Sequence, residues 1–157
     1  MDKSKSCCFT GHRVLKITNE LVDRLNKTLI GLIDNGVTDF YAGGAIGWDV
    51  ICEQEVLHLR ERFPQIKLHL VLPCSSDEQT AKWNDAQKEE YYKILNAAND
   101  VEYTSDQYYD GCMKVRNARL VELADFCVCY YNNSIRSGTG QTVRMAKKRG
   151  IEVVNLY

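Results

Sequence analysis

Residues 39–49 read Asp-Phe-Tyr-Ala-Gly-Gly-Ala-Ile-Gly-Trp-Asp, a short β-prone run that breaks into glycines and restarts as a helix. A glycine pair lets the backbone take positive φ or approach a ligand closely. The helix after it aims free N–H groups and its positive dipole end back at the loop. The stretch therefore reads either as an anion site built on Gly43 and Gly44, or as a βα turn that is glycine-rich only to be tight.

Strand and helix signals alternate along the rest of the chain. Apolar runs at 7–9, 39–42, 67–72, 101–104, 126–131 and 152–156 predict strands. Leu21, Val22, Leu25, Leu29, Leu32 and Ile33 recur at helical spacing after a Thr18 cap and before a Gly36 stop, predicting a helix over 19–35. Further helices are predicted over 48–63, in the later part of 74–99, over 113–124 and over 140–149. This order predicts an α/β fold, a Rossmann-like three-layer sandwich whose mostly parallel central sheet is flanked by helices. A chain of 157 residues is large enough to hold one core, so a single domain over 1–157 is expected. Ligands of such sheets bind beyond the carboxyl ends of the strands, which groups the loops 10–13, 43–49 and 132–142, with Arg116 and Asn117 as a possible fourth wall.

Composition narrows the function classes. With 45% hydrophobic and 26% charged residues and only two prolines, the chain is of ordinary soluble globular type. A net charge of −1 and a pI near 6.3 argue against nucleic acid and against an anionic membrane surface. Met-Asp-Lys-Ser-Lys-Ser lacks the apolar run of a signal peptide, and no stretch is apolar enough to span a bilayer, so the cytoplasm is the expected compartment. Seven cysteines, an odd number set among apolar residues, read as reduced core residues. No Cys-x-x-Cys occurs, and His12, His58 and His69 are not spaced as zinc ligands, so neither a metal nor a required cofactor is expected.

Four motifs in order then carry a family resemblance. They are Thr10-Gly11-His12-Arg13, Gly43-Gly44-Ala45-Ile46-Gly47-Trp48-Asp49, Arg116-Asn117, and Ser137-Gly138-Thr139 with Thr142. Together they resemble the YpsA-like branch of the SLOG superfamily, which is named from the Smf/DprA and LONELY GUY proteins. The resemblance implies a Rossmann-like fold and a nucleotide or nucleotide-derived ligand. LONELY GUY enzymes carry a Pro-Gly-Gly-x-Gly-Thr-x-Glu-type loop whose glutamate serves glycosidic chemistry, whereas this chain has Thr142 and Val143 there. Hydrolysis would have to fall to another acid or base, and Asp49 is the candidate.

The leading expectation is a non-catalytic protein that senses or sequesters a nucleotide-derived small molecule, such as an ADP-ribose, NAD-like or cyclic nucleotide species. The alternative is a nucleotide N-glycosidase or phosphoribohydrolase, and a third reading is single-stranded DNA binding as in the DprA branch. Gly43 and Gly44 are expected to hold phosphate, so that Gly44→Val abolishes binding and leaves the fold intact. Ser137 and Thr139 are expected to donate from the opposite wall. Arg13 and Arg116 read as phosphate clamps or as surface residues. His12 reads as a hydrogen-bonding or packing residue, Asp49 as a partner of ribose hydroxyls or an acid favoured by the helix dipole, and Tyr108 and Tyr109 as lids. The basic run Arg144, Lys147, Lys148 and Arg149 reads as a solvated helix end. A homo-oligomer is the expected assembly.

Overall fold

The computed structural model describes residues 5–157, so Met1–Ser4, on which the signal-peptide expectation partly rests, lie outside the described residues. The chain runs β1 (Lys5–Gly11), α1 (Asn19–Asp34), β2 (Val37–Ala42), α2 (Trp48–Arg62), β3 (Lys67–Leu72) and a single turn α3 (Ser76–Gln79). It continues through α4 (Asp85–Ala97), β4 (Asp100–Tyr103), α5 (Cys112–Leu123), β5 (Phe126–Tyr130), α6 (Gly138–Lys148) and β6 (Glu152–Asn155). The strands form one six-stranded sheet in the order β4-β3-β2-β1-β5-β6, and every pairing is parallel. No described helix is long and apolar enough to cross a membrane.

Parallel strands covered on both faces read as continuous apolar runs, and Cys7 to Thr10 of β1 are buried without interruption. Cys7 and Phe9 enter a core built with α1, α2 and α4, while Cys8 enters a second core with α5 and α6. α1 forms because Leu21, Leu25, Leu29 and Ile33 make one buried stripe. Thr18 Oγ1 accepts from the Leu21 amide at 3.1 Å, and Gly36 at φ 98° ends the segment. All seven cysteines are buried and unpaired. α6 begins two residues earlier than its sequence signal because Ser137 takes the cap position and accepts from the Gly140 amide at 3.4 Å.

The order of the strands places the site. From β1 the chain builds outward through β2, β3 and β4, then crosses to the other side of β1 for β5 and β6. The loops after β1 and β5 therefore diverge and leave a crevice at the carboxyl edge. Trp48, fully buried at the start of α2, braces this edge from inside the core. Its indole Nε1 donates to the Val128 carbonyl at 3.5 Å, and its ring lies 5.5 Å from that of Tyr130. A Cβ at Gly11 would collide with the Trp48 ring, so Gly11 is required to admit the indole.

Gly47 is the strained position of this region. It sits at φ 80°, and an added Cβ would run into the backbone of Arg13. Gly47→Ala is expected to cost about 2–4 kcal/mol. Gly138→Ala, whose Cβ meets only open space, should be neutral or stabilising by up to about 1 kcal/mol. Urea unfolding of the two variants checks this, and equal midpoints would contradict it.

Candidate functional site

A cavity of about 620 Å³ opens at the crevice between β1 and β5. Thr10, Gly11, His12 and Arg13 line it from the end of β1, Ala45 and Asp49 from the start of α2, and Met113, Arg116 and Asn117 from α5. Ser137, Gly138 and Thr139 line it from the start of α6. Eleven of the residues singled out in the sequence thus meet around one space. Gly43, Gly44, Gly47, Trp48 and Thr142 do not line it.

The loop after β2 departs from its expected role as a phosphate cradle. Three of its amides already have acceptors inside the protein. The Gly44 amide donates to Glu53 Oε2 at 3.2 Å, the Ala45 amide to Asp49 Oδ2 at 3.2 Å, and the Trp48 amide to the His12 carbonyl at 3.2 Å. Two carboxylates of α2 reach back and accept from the amides on which a phosphate was expected. Gly44 faces away from the cavity at φ 71°, and a Cβ there would approach Leu72 Cδ2 to 2.5 Å. Gly44→Val would therefore disturb the packing, contrary to the expectation of an intact fold.

Arg116 is likewise diverted. Only 4% exposed, its guanidinium donates through Nη1 to the Gly43 carbonyl and through Nε to Asn117 Oδ1 at 2.8 Å, while Nη2 approaches Met113 Sδ at 3.7 Å. A Cβ at Gly43 would lie 2.5 Å from Nη1, which explains the glycine there. Arg116 holds the loop, and its positive charge favours the ionised form of a buried acidic pair on α2. Asp49 is 6% and Glu53 2% exposed, one helical turn apart on α2. Burial raises the Asp49 carboxyl, opposed chiefly by Arg116. Burial raises Glu53 well above its ordinary range, and the negative charge of Asp49 pushes it further. The same desolvation lowers Arg116, and Asp49 opposes that.

His12 acts as a tie. Its Nε2 accepts from the Asn132 amide at 2.9 Å, which puts the ring hydrogen on Nδ1, and its own amide donates to the Tyr130 carbonyl at 3.3 Å. Arg13 is exposed at the cavity mouth, where its Nη2 approaches Met113 Sδ at 3.9 Å. Among the described residues no protein acceptor meets the Gly138 or Thr139 amide, so both donors at the head of α6 face the cavity unused. Thr142 lies a turn further along, fully buried, with Oγ1 donating to the Gly138 carbonyl at 3.1 Å. It braces the helix start from behind. Tyr108 and Tyr109 stay outside the cavity, and Tyr108 instead uses its amide on Glu78 Oε2 at 2.5 Å. They are not its lids.

Met113 and Glu53 escape the sequence reading. Glu53 had a signal in the sequence: it is an acid four residues after Asp49, on the helix that carries Trp48, Cys52 and Val56 inward. Met113 gave none, since a methionine opening a helix reads as core.

The model of the YspA SLOG family (YpsA) matches residues 9–153. The chain belongs to this family. A UPF0398 protein of Halalkalibacterium halodurans is 28% identical over 125 residues, covering 78% of this chain and 65% of that protein. One of Bacillus licheniformis is 25% identical over 126 residues, covering 79% and 68%. The matched stretch thus spans about two thirds of these relatives' length.

Among solved structures, DNA processing protein A from Helicobacter pylori, described for its single-stranded DNA binding mode, aligns with a TM-score of 0.66 at 21% identity. It covers 96% of this family member and 64% of the Helicobacter chain, and at that identity the likeness shows the fold. This neighbour overturns the argument from net charge against nucleic acid, since single-stranded DNA binding occurs on the same fold. The physical reason is that net charge conceals local charge. Residues 126–151 hold five basic side chains and no acidic one, so the excess acid lies elsewhere.

The buried acids make stability pH-dependent with a definite sign. Glu53 is raised in the folded chain, so its stabilising contribution is complete below the ordinary glutamate range and is lost as pH rises toward its folded value. Glu53→Gln keeps an oxygen for the Gly44 amide and removes the charge. It should melt about 3–6 °C higher than the parent at pH 8, the scale of a 1–2 kcal/mol change, and converge with it near pH 4. A constant difference at both pH values would show that the folded chain does not raise Glu53 above its unfolded value.

Proposed function

We propose that the cavity binds a nucleotide-derived small molecule, with phosphate seated on the Gly138 and Thr139 amides at the head of α6 and Arg13 closing over it. The supporting observation is the pair of unused amides opening into a cavity that also presents an exposed guanidinium. A helix N-terminus with free donors favours an anion by geometry and by dipole, and arginine matches phosphate bidentately. The volume falls within the range of small-molecule sites, and Met113, Leu120 and Ile135 offer an apolar surface to a base. Asp49 orients ligand or loop, because one carboxylate oxygen is held by the Ala45 amide. The role is binding, as in a sensor or a sequestering protein.

A hydrolase reading draws on one observation, the raised Asp49 carboxyl in the cavity wall, since perturbed acids gather at catalytic sites. One set of titrations separates the two. Calorimetry with AMP, ADP-ribose, NAD and cyclic AMP should find a ligand, and Gly138→Asp should weaken it at least 30-fold. The new carboxylate occupies the anion site while suiting a helix start, so the variant should melt no lower than the parent. Unchanged affinity in Gly138→Asp would refute the α6 site. Free base released by the parent and not by Asp49→Asn would replace binding with hydrolysis.

A further inference from the structure

A second groove lies on the far side of the loop that opens α6. Its volume is about 380 Å³, and Arg136, Arg144, Asn133, Ser134 and Gln141 line it. It shares Ile135 and Ser137 with the main cavity, so the two spaces are divided only by that short ridge. No acidic side chain lines the groove, and neither arginine belongs to an ion pair among the described residues. Both are exposed. The basic run at the end of α6, which the sequence reads as a solvated helix end, thus contributes Arg144 to a concave surface.

The ridge is built to hold its shape. His12 Nε2 pins the Asn132 amide, and Asn132 Oδ1 accepts from the Ser134 amide at 3.0 Å and from its hydroxyl at 2.6 Å. The Ile135 amide closes the turn on the Asn132 carbonyl at 3.0 Å. Two anion-attracting spaces are therefore held at a fixed separation by one short loop, and a ligand bearing a single phosphate group would leave one of them unused.

We propose that the groove is a second phosphate subsite, so that the ligand is a phosphodiester-linked dinucleotide unit lying across the Ser137 ridge rather than a mononucleotide. This rests on the reading of the cavity above. The first phosphate occupies the α6 amides beside Arg13. The second lies between the Arg136 and Arg144 guanidiniums, which chelate phosphate oxygens, with Asn133 and Gln141 donating at the edge. A free dinucleotide and a dinucleotide step within a single strand present the same chemistry.

The test compares dTMP, the dinucleotide pTpT and the oligonucleotide dT12 on the full chain by calorimetry at several salt concentrations. The parent should bind pTpT at least tenfold more tightly than dTMP. The double variant Arg136→Gln/Arg144→Gln should lose that gain, keep its dTMP affinity, and show a log affinity against log salt slope shallower by about 0.7–1.4. Both substitutions are at exposed positions, and retained dTMP binding controls for folding. Equal pTpT and dTMP affinity in the parent, or unchanged pTpT affinity in the double variant, overturns the second subsite while the cavity stands. Failure of the parent to bind any of the three overturns the second subsite, and the cavity reading falls with it only if AMP, ADP-ribose, NAD and cyclic AMP fail to bind as well. If dT12 binds no more tightly than pTpT, the unit is a free dinucleotide. If dT12 binds more tightly in the parent and loses that advantage in the double variant, the unit belongs to a strand.

Discussion

The buried guanidinium of Arg116 donates to the carbonyl of Gly43, and the geometry of the carboxyl edge follows from that contact. A buried arginine without partners would be prohibitive, and so would two buried acids without a cation. Here the guanidinium bonds to Gly43 and Asn117, and its charge attracts both acids at longer range. The glycine at 43 exists to admit the guanidinium, Glu53 holds the Gly44 amide, and Asp49 holds the Ala45 amide. The loop after β2 is thereby closed by the protein's own charges. Its neighbour across the cavity, the head of α6, is left open.

This contrast shows how two similar sequence patterns reach different chemistry. Both loops run from a buried strand through glycines into a helix, and the sequence alone gives each the same claim to an anion. The difference lies in which side chains follow. After Gly43-Gly44 come Asp49 and Glu53, which fold back onto the amides. After Ser137-Gly138 come Gln141, Thr142 and Arg144, with no acid to compete. An acid-free helix start, rather than the count of glycines, is what leaves donors free for a ligand.

Much of the fold was legible because it is written in local signals. The Leu21 to Ile33 stripe, the Thr18 cap, the apolar strands and the glycine stops each fix an element without reference to the rest of the chain. The grouping of Thr10 to Arg13 with Asp49, Arg116 and Ser137 to Thr139 was legible as well, since topology brings the carboxyl ends of parallel strands together. What could not be read is which polar groups are already occupied. Arg13 and Arg116 look alike as letters, yet one is exposed at the mouth and the other is enclosed by Gly43, Asn117 and Met113. Thr142 and Trp48 have the same history: their motif positions are right, but their side chains point into packing. Charge was misjudged for a related reason, because a balanced total hides a basic stretch from 126 to 151.

The division of labour between the two loops is open to direct observation amide by amide. In an ¹⁵N-labelled sample titrated with a nucleotide that binds, the Gly138 and Thr139 resonances should shift strongly, because those N–H groups gain an acceptor. The Gly44 and Ala45 resonances should stay nearly still, since Glu53 and Asp49 keep them. Large shifts at Gly44 and Ala45 with none at Gly138 and Thr139 would place the anion on the wrong helix and contradict the assignment of the site.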